Sequence, residues 1–389
     1  MKGSSAVRRR TRSEFRHGAA GPQGAIAPAA IAALREALLA WFRREQRDLP
    51  WRRTRDPYAI WVSEIMLQQT RVDTVVPYYE RFLRAFPTPQ ALAEAEVGDV
   101  LARWAGLGYY RRARLLHAGA RELVREHGGR FPREPGALRA ISGIGRYTAG
   151  AVASIAFGVR TPLVDGNVAR VLARVFALEG DVSKGPIHER VWALAGELVD
   201  EGDPGAWNQA LMELGATVCT PRAPRCGACP ARAHCRASER GIVGRIPPPR
   251  VRAAPKAWRL ACVVLEDGAR VLLAERRAEL AFGGLWEPPS VDVPARGSAK
   301  AAARALATAL VASAELHDAG VVRHVLTHRA LEVRVLTARV TPRALDAAAR
   351  AIPPDGYAAL RAVRTKELDT LGSSVLAKKV LRVAMARGR

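Results

Sequence analysis

Two carboxylates stand out by the residues around them. Glu64 lies in the run from Tyr58 to Thr70, YAIWVSEIMLQQT, where it is the one acidic residue in an otherwise mostly apolar helical stretch. A carboxyl kept from water has a raised pKa and can hold a proton near neutrality, as a general acid must. Asp165 opens the turn Asp165-Gly166-Asn167 at the place of an N-cap for the helix that follows. An N-cap aspartate stabilises a helix by about 1 kcal/mol. The same carboxylate facing a sugar carbon would oppose positive charge developing there. Both readings can hold at once. Upstream, Ile141-Ser142-Gly143-Ile144-Gly145 ends one helix and starts another. Paired glycines let a backbone turn tightly and come close to a partner, and the helix beginning near Arg146 then offers free N–H groups to an anion such as a phosphate. Finally, Cys219-x6-Cys226-x2-Cys229-x5-Cys235 gathers four thiols that could bind zinc or an iron–sulfur cluster, and the spacing alone does not choose between them. Cys262 stands alone in an apolar run and reads as a small buried hydrophobe.

The elements that must position these groups are mostly helical. Apolar periodicity predicts helices over Ala29–Arg44, from Asp56-Pro57 through Thr70, over Asp73–Phe86, Ala91–Ala105, Arg112–His127, Pro186–Asp200 and Asp203–Val218. Gly106-Leu107-Gly108-Tyr109-Tyr110 is a tight turn with two aromatics, followed by Arg111, Arg112 and Arg114, a mixture suited to base stacking and phosphate contact, with Tyr110 read as core. Ser238–Lys256 is proline-rich and reads as a linker. After it the pattern changes. Trp258–Leu265 and Arg270–Glu275 read as strands joined by Asp267-Gly268, a hairpin signal, with further strands at Val321–Leu326 and Leu331–Val340 and helices at Ala299–Val311 and Ser373–Met385.

The whole chain has 389 residues, 49% of them hydrophobic, and a formal net charge of +24. That suffices for two or three packed domains and implies a polyanionic partner. Nucleic acid and an anionic membrane surface both qualify, and a generally arginine-rich proteome is the bland explanation. No run approaches the ~18 apolar residues of a membrane span, which argues against a membrane protein. Met1–Pro28 carries six Lys/Arg against the single acidic Glu14 and has no apolar core, so it reads as a disordered basic tail and not a secretory signal. A cytoplasmic location and free thiols are expected.

Together these stretches resemble the endonuclease III superfamily of DNA glycosylases, and more narrowly the adenine DNA glycosylases of the MutY type. The resemblance is strong over about Ala29–Arg236 and moderate beyond Trp258. It implies a mainly α, two-lobed helix-hairpin-helix glycosylase domain with an iron–sulfur loop (residues 29–237), a linker (238–257) and a C-terminal α+β Nudix-like domain (258–389), acting as a monomer. The implied substrate is adenine mispaired with 8-oxoguanine or guanine in double-stranded DNA, and the implied cofactor is a [4Fe–4S] cluster on Cys219, Cys226, Cys229 and Cys235. By resemblance, Glu64 is the catalytic acid, Asp165 stabilises the cationic sugar, Tyr147 hydrogen-bonds that aspartate and Asn167 orients the reacting groups. Arg47, Leu49, Trp51, Arg52 and Gln209 would hold the adenine, although Gln209 also reads as structural. Gln69 and Tyr109 would probe the duplex, Gly143 and Gly145 would bind phosphate, and Thr327 and His328 would read 8-oxoguanine where relatives often have Ser-His. A strand-end His in a packed sheet is the plainer reading of His328. Bifunctional relatives carry lysine where this chain has Tyr147, so hydrolysis by water is expected. Ala299–Val311 lacks the carboxylates of a Nudix pyrophosphatase helix, so the last domain reads as a recognition module. Two other classes remain open at this point: an endonuclease III-type lyase, and a non-enzymatic iron–sulfur DNA-binding protein.

Overall fold

The structure, a computed structural model, describes residues 27–249, 254–368 and 371–386. The expected basic tail therefore lies, up to residue 26, outside the described residues. Helix α1 (Pro28–Glu45) leads through a single 3-10 turn at Pro50–Arg52 into α2 (Pro57–Leu67). Proline is tolerated in the first turn, where its missing N–H has no partner to lose. Asp56 caps α2 by accepting from the N–H groups of Tyr58 and Ala59. Helices α3 (Val72–Ala85), α4 (Pro89–Glu94) and α5 (Val97–Trp104) follow. Ala91–Ala105, expected as one helix, is thus two. The chain extends at Ala95 and Glu96, and the imidazole Nε2 of His117 lies 3.0 Å from the Ala95 carbonyl, outside any helical ladder.

Helices α6 (Arg111–His127), α7 (Pro135–Leu138) and α8 (Arg146–Phe157) complete a first lobe around α2. Helices α9 (Gly166–Val175), α10 (Gly185–Leu198), α11 (Pro204–Thr217) and α12 (Arg236–Glu239) pack with α1 into a second. The lobes meet where α8 packs on α11. The approach of α11 to α9 is closer still: a Cβ on Gly215 would lie 2.5 Å from the Asn167 Cβ, so only glycine fits. The packed region runs past residue 237, the boundary expected from the prolines. Ser238 and Glu239 belong to α12, and Ile246 is buried with its carbonyl accepting from Arg174 Nε at 2.7 Å.

The remainder is one mixed sheet. Its strands are β1 (Lys256–Glu266), β2 (Arg270–Arg276), β3 (Trp286–Glu287), β4 (Ser290–Asp292), β5 (His317–Val325), β6 (Arg329–Arg339) and β7 (Tyr357–Arg364). They run in the order β3-β2-β1-β6-β5, with β4 also on β1 and β7 also on β2. The Asp267-Gly268 turn joins β1 to β2 as expected, and the two pair antiparallel, though only at Glu266 and Val271. Strand β1 is buried on both faces, Leu260, Cys262 and Val264 in one core and Ala261, Val263 and Leu265 in the other. Such a strand belongs in the sheet interior, and β6 pairs with it in parallel along its whole length while β4 pairs antiparallel at Leu260, Ala261 and Cys262. Helices α13 (Ala299–Leu310) and α14 (Pro342–Ala349) cover one face, and α15 (Val375–Met385) covers the other. Among the described residues no helix is long and apolar enough to cross a membrane.

The two domains are locked together. Leu285, which precedes β3, is fully buried in the core of the helical domain. Beside it Gly284 (φ +72°) sits against Leu101 of α5, Arg114 of α6 donates to the Gly283 carbonyl, and Tyr110 donates to the Ser373 carbonyl at 3.5 Å.

Candidate active site

A cleft of about 1390 Å³ opens between the lobes and runs to the tip of the β5–β6 hairpin. Glu64, Asp165, Tyr147, Asn167, Arg47, Leu49, Trp51, Arg52, Gln209, Gln69, Tyr109, Thr327 and His328 all line it. Helix α2 supplies Glu64 from its last turn. Every residue from Tyr58 to Met66 is buried, and Glu64 itself is 4% exposed. Burial pushes its carboxyl up to about 7, the Tyr147 hydroxyl opposing, the nearby Asp165 charge adding and Arg52 opposing. Tyr147 donates to Glu64 Oε2 at 2.5 Å and approaches the Met212 sulfur at 3.3 Å. The expectation that Tyr147 hydrogen-bonds Asp165 is therefore corrected: its partner is the other carboxylate. The reason is that Asp165 is already committed. It caps α9, accepting from the Val168 N–H at 2.7 Å and from Asn167 Nδ2 at 2.9 Å. Burial raises its pKa, and those two bonds, made to the anion, oppose the rise.

The base-sized end of the cleft is built around a residue that the sequence reading passed over. Glu213 of α11 is buried, and its carboxylate accepts from Arg47 Nε and Nη2, both at 2.8 Å, and from Arg52 Nη2 at 2.7 Å. Burial pushes this carboxyl up, yet the two guanidiniums outweigh it and bring it down to about 2. The signal was present: Glu213 falls four residues after Gln209, on the same helical face, as a lone acid in an apolar stretch. Leu49 and Trp51 are largely buried, Trp51 edge-on to Tyr79 with centroids 5.4 Å apart. Gln209 Nε2 donates to the Gly205 carbonyl at 3.3 Å.

Two rim positions carry backbone strain. Gln69 (φ +58°) and Tyr109 (φ +49°) are left-handed non-glycine residues, a conformation that costs about 1–3 kcal/mol and concentrates at functional sites. Tyr109 is 45% exposed, and its hydroxyl meets the hydroxyl of Thr327 across the cleft. Of the three arginines after it, Arg112 does not face solvent. It is buried, with Nη1 donating to the carbonyls of Ile65 (2.8 Å) and Met66 (2.9 Å), which tie down the end of α2. Gly143 turns with φ +83°, while Gly145, the N-cap of α8, has an ordinary φ of −86°.

The four cysteines surround one cavity together with Arg174 and Arg232. Among the described residues no three His, Cys, Asp or Glu side chains stand at single-ion geometry. Burial first, and then the other three thiols, push Cys229 up to about 11. Arg170 bridges this loop to the carboxylate turn: it donates to the Cys219 carbonyl (2.7 Å), the Gly215 carbonyl (2.8 Å) and Asn167 Oδ1 (2.9 Å).

Residues 62–197 match the HhH-GPD superfamily base excision DNA repair protein family, and residues 260–383 match the NUDIX domain. The adenine DNA glycosylase of Homo sapiens is 43% identical over 318 residues, covering 68% of this chain and 58% of that protein. That of Mus musculus is 38% identical over 411 residues, covering 91% of this chain and 78% of that protein. The chain belongs to the adenine DNA glycosylase family. The family's glycosylase core is also shared more widely. A thermostable thymine-DNA glycosylase aligns over 98% of its own length and 55% of this chain, at 31% identity and a TM-score of 0.51. The human and mouse adenine DNA glycosylases extend further along the chain, the mouse protein into the sheet domain.

Proposed function

We propose that this chain hydrolyses the N-glycosidic bond of adenine mispaired with 8-oxoguanine or guanine in duplex DNA. The observation that carries the reading is the pair of carboxylates on one cleft, one lifted by burial to about 7 and one accepting two N–H hydrogen bonds. A base must leave the stack to reach them. The protonated carboxyl of Glu64 gives its proton to a ring nitrogen of the extruded adenine, and the glycosidic bond breaks with its electron pair leaving on the base. Asp165 opposes the positive charge left on the sugar. The Glu64 carboxylate then takes a proton from the water that adds to the anomeric carbon, which restores the acid. Tyr147 holds the Glu64 carboxyl at a fixed angle throughout.

Water as the nucleophile is supported by the lining: among the described residues no lysine faces the cleft. A sugar-attacking amine is thus missing where a lyase needs one. Arg47, Arg52, Leu49, Trp51 and Gln209 would hold the base, and Gln69 and Tyr109 would enter the duplex it leaves. Gly143 and Gly145 would take a phosphate. Thr327 and His328, at the hairpin tip on the same cleft, would read the opposing 8-oxoguanine. Because one chain completes the cleft, it would act as a monomer.

Four thiols lining one cavity are a sulfur-only donor set of the kind that holds zinc or an iron–sulfur cluster, and the family resemblance favours the cluster. Cys219, Cys226, Cys229 and Cys235 would hold a [4Fe–4S] cluster that orders a loop carrying Arg222, Arg225, Arg232 and Arg236. The test is release of free adenine from an A:8-oxoguanine duplex, compared with A:G and A:C duplexes, leaving an intact but alkali-labile strand. Strand breakage without alkali would overturn the monofunctional reading.

A further inference from the structure

Glu213 has no place in the proton transfers above, yet it is a buried charge at their edge. Its side chain is 1% exposed while that of Arg47 is 39% exposed and that of Arg52 is 10% exposed. The Arg47 backbone N–H also donates to Glu213, at 3.2 Å, and Arg52 Nη1 donates to the Arg47 carbonyl at 3.0 Å. The result is a closed knot of one anion and two cations joining α11 to the turn after α1. We propose that Glu213 is the positioning residue of the base cavity: it gathers Arg47 and Arg52 into one clamp and so keeps Arg52 from pairing with Glu64.

The physical case is a competition for one guanidinium. Arg52 lines the same cleft as Glu64, and its charge acts on Glu64. An arginine with free N–H groups in a low-dielectric cavity pairs with the nearest available carboxylate. Only one carboxylate may hold it if the other is to keep a proton. With Glu213 ionised at any pH near neutrality, the arginine's charge is spent on it. The other groups facing Glu64 are Tyr147 from α8 and Asp165 from the turn before α9, and Met212 of α11 meets Tyr147. Arg112 of α6 is the other cation beside the end of α2, and its Nη1 is committed to the carbonyls of Ile65 and Met66, so Arg52 is the side chain able to draw the Glu64 proton off. The clamp also holds both guanidiniums rigidly at the wall where the base would lie. Preorganised donors cost no ordering when the ligand arrives.

This inference rests on the assignment of Glu64 as the acid, so its test reads Glu64 directly and not through turnover. Isotope-edited infrared titration of the free protein follows the Glu64 carboxyl, with Glu64→Gln as the blank. In Glu213→Gln the titration should move down by about 1–3 pH units, the effect of an unshared arginine beside a buried carboxyl. In Glu213→Gln/Arg52→Gln it should return to or above the wild-type position. Glu213→Asp, which keeps the charge, should stay within half of the single-variant shift. The pH at which adenine release falls should track these values. An unmoved titration in Glu213→Gln, or a double variant as low as the single one, would overturn the clamp. Should Glu213→Gln not fold, Glu213→Asp and Arg52→Gln decide the question, the latter by a titration at or above that of the wild type. A clamp that behaves as described in a protein releasing no adenine would count against the proposed reaction and leave this inference standing.

Discussion

Glu64 stores its chemistry as instability. Its carboxyl titrates at about 7 in the fold against an ordinary 4.5, so between those values the folded chain binds more protons than the unfolded one. Stability from this group is then fully present below pH 4.5 and is lost as pH rises through 7, in all about 3 kcal/mol. Glu64→Gln removes the penalty. Denaturant unfolding should find the variant more stable than wild type by up to about 3 kcal/mol at pH 8 and no more stable at pH 4. The same difference at both pH values would show that Glu64 is not held protonated. Tyr147 acts in the opposite direction, since its hydroxyl donates to Glu64 and favours the carboxylate. Tyr147→Phe should therefore move the falling limb of the pH–rate profile to higher pH while lowering the maximum rate, as measured in single-turnover excision across pH 5–9. A limb moving to lower pH would contradict the assigned bond.

At the scale of elements, the site depends on how closely α9 and α11 approach. Gly215 has Asn167 backbone atoms 3.0 Å from where a Cβ would stand, so the turn carrying Asp165 and Asn167 is pressed against α11 without intervening side chains. Gly215→Val should cost about 1–3 kcal/mol in overpacking and, by pushing Asn167 away, reduce excision far more than duplex binding. Unfolding and single-turnover assays read the two effects separately. What the sequence could disclose follows the same lines. Asp165 and Gly143 were legible because a side-chain cap and a positive φ demand particular residue types locally. Glu64 was legible because a charge in an apolar helix is costly unless used. The partner of Tyr147 was not legible, because the choice between Glu64 and Asp165 depends on the approach of α2 to α8, which no local pattern specifies. Glu213 hid for a similar reason: its two arginines lie more than a hundred residues away. The β1–β2 turn signal was correct, but the hairpin it closes is one pair long, because β1 takes most of its ladder from β6.

At the scale of the molecule, Leu285 fastens the sheet domain to the helical one and so fixes the distance from the hairpin tip to the base cavity. Leu285→Asp puts an unpaired charge into that joint and should cost several kcal/mol of interdomain docking. Adenine release from A:G should persist, while the preference for A:8-oxoguanine over A:G should shrink, because Thr327 and His328 lose their fixed place. An unchanged preference would mean that the hairpin tip reads nothing. Of all these measurements, one bears most directly on the central claim that a buried proton on Glu64 breaks the bond. Adenine release and duplex binding should be measured side by side for wild type and Glu64→Gln on an A:8-oxoguanine duplex under single-turnover conditions at neutral pH. The account predicts release slowed by about 10²–10⁴-fold or more with binding within a few-fold of wild type. Release at the wild-type rate by Glu64→Gln would contradict it.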